Sequence, residues 1–83
     1  MAGTIETLAA KLAEDTLDIM DKSGEERFFV EVGTVLGAAS QSLEEAYLTE
    51  IRVRLAERKA RAVLNAKLAQ LAAKSDKSPS DAG

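Results

Sequence analysis

The chain has 83 residues, with 11 Lys and Arg against 14 Asp and Glu, which gives a formal net charge of −3. A chain of this length forms one small domain with a modest core. It contains no cysteine and no histidine, which excludes disulfide bonds and removes the usual zinc ligands. Helix packing and self-association are therefore the expected sources of stability.

The distribution of charge along the chain is uneven. Residues 1–50 contain eleven acids and three bases, a net −8, whereas residues 51–83 contain eight bases and three acids, a net +5. Such halves can attract each other within one chain or between two chains, and an uneven split can also mark a nucleic-acid surface.

Neither a secretory signal nor a membrane span is predicted. Residues 1–22 are interrupted by charges and lack the apolar stretch of a signal peptide. The longest mostly apolar segment, residues 28–39, contains Glu31 and falls short of the about 20 residues that span a membrane. We therefore expect a cytoplasmic protein.

The first helix is predicted over residues 4–22, with Thr4 as N-cap and Glu6 in the first turn, where the helix dipole favours an acid. Its apolar residues recur at spacings of three and four, which places them on one buried face. That stripe comprises Ile5, Leu8, Ala9, Leu12, Thr16, Ile19 and Met20, with Leu17 outside it.

A second helix is predicted over residues 24–39. Ser23 followed by Glu26 matches a capping box, which marks a helix start. A strand over residues 28–36 competes, because the apolar residues there also alternate and many are β-branched. Gly33 and Gly37 share one side of the predicted helix: either they allow close approach of another helix, or Gly33 is tolerated and Gly37 begins the helix end.

The third helix is predicted over residues 43–74, opened by a capping box at Ser42 and Glu45 and rich in good helix formers. The two shorter helices are short enough to lie end to end along it. The remaining residues, 75–83, lack apolar content and are predicted to be a disordered tail. Residues 1–74 are thus predicted to form a single all-α domain.

This long helix carries two apolar flanks rather than one. One flank comprises Leu48, Ile51, Leu55, Ala62, Ala66 and Ala69, and the opposite flank comprises Val53, Ala60, Leu64, Leu68 and Leu71. A helix with two apolar faces is covered on two sides. The shorter helices can cover one flank, and a second copy of the chain is the simplest cover for the other. Alternatively, alanines are tolerated on a helix surface and the second stripe is partly chance.

Two charged clusters are candidate sites. Arg54, Arg58 and Arg61 share one face of the long helix and suit phosphates, although Glu50 and Glu57 lie four residues before two of them, which favours ion pairs. Asp15, Asp18 and Asp21 end the first helix, where they suit either a hard cation or an arginine from the long helix. The default interpretation of both clusters is ion pairing, so no metal site is predicted.

The aromatic residues give no catalytic signal. Tyr47 fits the apolar pattern of the long helix and is predicted to be core. Phe28 and Phe29 point about 100° apart on a helix, so either one of them anchors a partner or a wide groove covers both. Without histidine, cysteine or a glycine-rich phosphate loop, no catalytic residue and no cofactor are predicted.

The sequence therefore predicts a non-enzymatic, homodimeric protein–protein interaction module, such as a small regulator or assembly factor. The candidate partner or dimer contacts are Phe28, Phe29, Val53, Leu64, Leu68 and Leu71. The alternative is a nucleic-acid-associated factor that uses the arginine face, although an acidic chain with so few aromatic residues makes a poor nucleic-acid binder.

Overall fold

The computed structural model describes residues 3–82, with side chains for residues 3–74. These residues form three α-helices and no strand: α1 Thr4–Ser23, α2 Phe28–Ala39 and α3 Gln41–Ala82. The predicted all-α class is confirmed, with two shorter helices packed on one long helix. The segment over residues 28–36 is helical, so the competing strand interpretation is wrong.

The shorter helices lie side by side on the first half of α3, not end to end along it. Thr16 contacts Tyr47 and Asp21 contacts Arg58, so α1 runs parallel to α3. Gly33 faces Leu48 and Gly37 faces Glu44, so α2 runs antiparallel to α3. The short connections explain this order, because helices joined by a few residues fold back on each other.

The turn between α1 and α2 begins at Gly24. This glycine has a φ of 77°, and its N–H donates to the carbonyl of Met20 at 2.8 Å, an arrangement that ends many helices. The Ser23 hydroxyl accepts from the N–H of Glu25 at 3.2 Å within this turn. The capping box predicted at Ser23 is therefore wrong, and α2 begins at Phe28.

The other helix starts also differ by a residue or two from the predictions. Gly3 rather than Thr4 is the N-cap of α1, and its N–H donates to Glu6 Oε1 at 3.0 Å. Ser40, the one residue between α2 and α3, accepts from the N–H of Leu43 through its hydroxyl at 3.2 Å. The cap of α3 is therefore Ser40 and not Ser42.

A small core lies where α1 and α3 meet. Its fully buried apolar residues are Ala9, Ala13, Leu17, Tyr47 and Ile51. Leu17 is buried although it was predicted to lie off the apolar stripe, whereas Ile5, Leu8 and Ile19 of that stripe are 38%, 49% and 46% exposed. The small side chains of Ala9 and Ala13 leave room for the Tyr47 ring, which explains why this face of α1 turns inward.

Two glycines of α2 face side chains of α3. Gly33 is buried, and a Cβ added there would lie 3.4 Å from Leu48 Cδ2. A Cβ at Gly37 would lie 2.9 Å from the carboxylate of Glu44. Gly33 therefore has room for a methyl group, and the flexible Glu44 carboxylate can move away from one at Gly37, so neither distance makes glycine necessary. Gly37 lies within α2, which ends at Ala39.

α3 continues to Ala82, beyond the helix end predicted at residue 74. The predicted tail, residues 75–83, lies beyond the side chains that the structure describes, and its disorder stays a prediction. Within the described part of the chain, no helix combines the length and the apolar character needed to cross a membrane.

Candidate interaction surface on the long helix

The second half of α3 extends past the helices that pack against its first half. With 42 residues, α3 is about 63 Å long, whereas α1 and α2 are about 30 and 18 Å. Leu55 is the last α3 residue that packs against the core, and every described side chain from Ala56 to Lys74 is exposed. Residues 56–74, here called the projecting half, continue the predicted rod without interruption.

One side of this rod is apolar and open to solvent. Val53, Leu64, Leu68 and Leu71 are 60%, 56%, 64% and 53% exposed. With Ala60 they lie within a sector of about 80° at 3.6 residues per turn. These five residues are called the outer apolar face. The structure thus places the predicted α3 contacts on one surface of α3.

The opposite flank is covered only in part. Ile51 is buried and Leu48 and Leu55 pack against the core, as predicted. Ala62, Ala66 and Ala69 continue this flank and are exposed. The shorter helices thus cover this flank only as far as Leu55, because their apolar packing against α3 ends there.

The three arginines of the candidate basic face each have a carboxylate partner. Arg54 Nη2 lies 3.3 Å from Glu50 Oε1, and Arg61 Nη2 lies 2.8 Å from Glu57 Oε2. Both are pairs between side chains four residues apart on α3. These partners reduce the positive field that nucleic acid would need.

The third arginine links two helices. Arg58 donates two hydrogen bonds, at 2.8 and 3.0 Å, to the two carboxylate oxygens of Asp21 at the end of α1. These hydrogen bonds lower the pKa of Asp21 and raise the pKa of Arg58. Arg58 is thus the arginine from the long helix that the acidic end of α1 was predicted to attract.

The remaining acids of that cluster pair within α1. Asp15 lies 3.4 Å from Lys11 Nζ, and Asp18 lies 3.1 Å from Lys22 Nζ. Over the described side chains, no group of three acids is arranged to hold a metal ion. Ion pairing accounts for all three aspartates.

Two of the aromatic side chains, Tyr47 and Phe29, belong to the core or pack against it. Tyr47 is fully buried, as predicted, and its hydroxyl donates to Thr16 Oγ1 at 2.9 Å. Burial raises the pKa of the Tyr47 phenol, and the hydrogen bond with Thr16 offsets part of that shift. Phe29 packs against the core and Phe28 is half-buried, so Phe29 contributes to the fold.

Comparison with known proteins adds no relative. No protein-family model, no curated protein and no solved structure matches the chain. The fold defines the class, an all-α protein in which one helix extends well beyond a three-helix body.

Proposed function

We propose that this chain is a non-enzymatic interaction module, a small regulator or assembly factor, that pairs with a second copy of itself. The observation that carries the proposal is the outer apolar face, where four large side chains are at least 53% exposed on one side of a continuous helix. Contiguous exposed apolar side chains mark interaction surfaces in stable proteins. Closed twofold dimers are the commonest oligomers, which favours a second copy as the partner.

The shape of α3 supports the same conclusion. A helix segment gains most of its stability from packing an apolar face, not from helix propensity alone. The projecting half has the apolar side chains for such packing, yet all of its described side chains are exposed. A second rod laid against the outer apolar face supplies the missing packing.

The non-enzymatic part of the proposal is supported by the groups that the sequence marked as chemically interesting. The Tyr47 hydroxyl is buried against Thr16, and the three arginines and three aspartates are in ion pairs. Each group therefore has a structural role. The proposal retains the cytoplasmic location expected from the sequence.

Size-exclusion chromatography with light scattering tests the dimer through paired variants. The double variant Leu64→Gln with Leu71→Gln removes two apolar side chains from the outer apolar face. Glutamine has a helix propensity close to that of leucine, so the helix itself is retained. We expect this variant to be monomeric under conditions where the unmodified chain is dimeric.

The matched control introduces the same two residues elsewhere on the projecting half. Ala62→Gln with Ala69→Gln alters the opposite flank, and we expect it to remain dimeric. If the control dissociates while the Leu64 and Leu71 variant stays dimeric, the surface is misassigned. If the unmodified chain is monomeric at all concentrations, the pairing itself is disproved.

A further inference from the structure

Two interleaved series of residues run along the exposed side of α3. Steps of seven residues give one series, Glu50, Glu57, Leu64 and Leu71, and a second series, Val53, Ala60, Lys67 and Lys74. Together they alternate at spacings of three and four residues, which is the spacing of the a and d positions in a coiled coil. The first series occupies a and the second occupies d.

The structure shows that this seam is free to receive a partner. α3 is continuous through both series. Glu50 is half-buried at the edge of the three-helix body, and the other seven side chains are exposed. A strict seven-residue repeat drifts by about 20° per repeat around a straight helix, so two such rods wind around each other with a left-handed twist.

Parallel pairing along this seam brings like charges together. In a parallel pair, each a position faces the same position of the second copy, as does each d position. Glu50 and Glu57 then face their own copies in the first half of the seam, and Lys67 and Lys74 do so in the second half. Like charges at close range across an interface cost several kcal/mol.

Antiparallel pairing matches the same positions in charge and in apolar character. Reversing one helix places each a position opposite a d position. With the twofold axis on the outer apolar side, level with residue 62 along α3, the facing pairs are Glu50 with Lys74, Val53 with Leu71, Glu57 with Lys67, and Ala60 with Leu64. Each acid faces a lysine, and each apolar side chain faces another.

The facing side chains specify the register of the two antiparallel helices as well as their direction. A shift by one repeat in one direction places Leu64 opposite Lys67, and a shift in the other direction places Glu57 opposite Ala60. Both shifts leave a charged group against an apolar one, which costs desolvation without a partner. The ion pairs of Glu50 with Arg54 and of Glu57 with Arg61 lie within one helix and can remain in this register.

We propose that the occupant of the outer apolar face is a second copy bound antiparallel, with its twofold axis level with residue 62 along α3. This inference rests on the proposed dimer and adds its direction and register. Acid–lysine layers alternate with apolar layers along the shared seam. The basic projecting half of each copy lies along the α3 segment that bears Glu50 and Glu57 in the other.

Disulfide trapping tests the direction of pairing. The sequence contains no native cysteine, so only the introduced cysteines can cross-link. Glu57→Cys and Lys67→Cys proteins are oxidised separately and as a mixture. We expect cross-linked dimer from the mixture alone, because in the proposed register two copies of residue 67 are about 15 Å apart along the axis. A disulfide requires Cα atoms within about 7 Å.

A charge exchange tests the register without cysteines. Lys67→Glu places an acid opposite Glu57 twice per dimer, and we expect the dissociation constant to rise about ten-fold or more. The double variant Glu57→Lys with Lys67→Glu exchanges the partners and restores dimerisation. Lys59→Glu makes the same charge change off the seam, and the dimer should tolerate it far better.

The outcomes separate this inference from the proposed function. A dimeric protein in which Lys67→Cys cross-links to itself is parallel, which overturns the direction and leaves the dimer standing. A dimeric protein that gives no cross-link and no rescue uses another surface, which overturns the seam. A monomeric unmodified chain overturns the proposed function instead.

Discussion

The Tyr47 hydroxyl donates a hydrogen bond to Thr16 Oγ1 at 2.9 Å, and this pair joins α1 to α3 inside the apolar core. Both residues are at most 4% exposed, so neither hydroxyl has easy access to water. A buried hydroxyl that loses its partner keeps its desolvation penalty without the compensating bond. The pair therefore fixes the position of α1 along α3 in a way that apolar packing alone does not.

Removing both hydroxyls of this pair should cost less than the sum of the two single removals. We expect Tyr47→Phe to lower the free energy of unfolding by about 1–2 kcal/mol, because Thr16 is left without its partner. The double variant with Thr16→Val should cost less than the sum of the two single variants. Urea unfolding followed by circular dichroism measures all four proteins, and strictly additive losses would show that the hydrogen bond is unimportant.

Alanine at Gly33 should stabilise the protein. The added Cβ meets Leu48 Cδ2 at 3.4 Å, which is an ordinary contact, and alanine gains about 0.8–1.0 kcal/mol of helix propensity. Gly33→Leu should instead lower the stability by about 1–3 kcal/mol, because the larger side chain displaces Leu48. Thermal unfolding distinguishes these expectations.

Gly24→Ala is the contrasting variant, because Gly24 lies at the C-cap of α1 and not inside a helix. Gly24 has a φ of +77°, which an alanine adopts at a cost of about 1 kcal/mol. Gly24→Ala should therefore lower the melting temperature while Gly33→Ala raises it. A fall for Gly33→Ala would mean that α2 and α3 pack too closely for any side chain at this position.

The ion pair between Asp21 and Arg58 should make part of the stability dependent on pH. Hydrogen bonds from Arg58 hold the pKa of Asp21 below its ordinary value of 3.8. The folded state therefore binds this proton less tightly than the unfolded state does. The contribution is present above about pH 4 and is lost as the pH falls through the lowered pKa.

Comparison with Asp18→Asn isolates this contribution. Both variants remove an acid from the end of α1, where the helix dipole disfavours it, but only Asp21→Asn breaks the link to α3. We expect Asp21→Asn to be the less stable of the two near neutral pH, and the difference to vanish in strong acid. A difference that is independent of pH would rule out this ion pair as its source.

The three-helix body should fold without most of the projecting half. Among the side chains that the structure describes, every buried one precedes Ala56, and the link from α3 to Asp21 is made by Arg58. We expect a chain ending at Arg61 to keep one cooperative thermal transition and to be monomeric. Loss of that transition would show that the projecting half contributes directly to the stability of the body.

Helix type and the identity of the core tyrosine could be predicted from the sequence, because spacings of three and four persist through all three segments. The rotation of α1 could not. Residue spacing places Ile19 on the apolar stripe and Leu17 outside it, whereas the structure buries Leu17 and leaves Ile19 46% exposed. A periodicity records which residues share a face but not the shape of the surface that they meet.

The sequence alone predicts only part of what defines the outer apolar face of α3. Its two apolar flanks follow from residue spacing, but where α1 and α2 stop covering α3 depends on the packing of all three helices. Apolar packing against α1 and α2 ends after Leu55, which leaves the apolar side chains of the projecting half exposed. The seam that contains Glu57 and Lys67 can be interpreted as an interface only because the structure shows this segment to be exposed.

The most direct test of the account is the mass of the unmodified chain by sedimentation equilibrium across a wide range of concentrations. A dimer closed through the outer apolar face predicts an approach to twice the 8.8 kDa chain mass and no further growth, because a twofold interface is used up by one partner. A mass that stays at 8.8 kDa at the highest concentration, or one that grows without limit, contradicts the account.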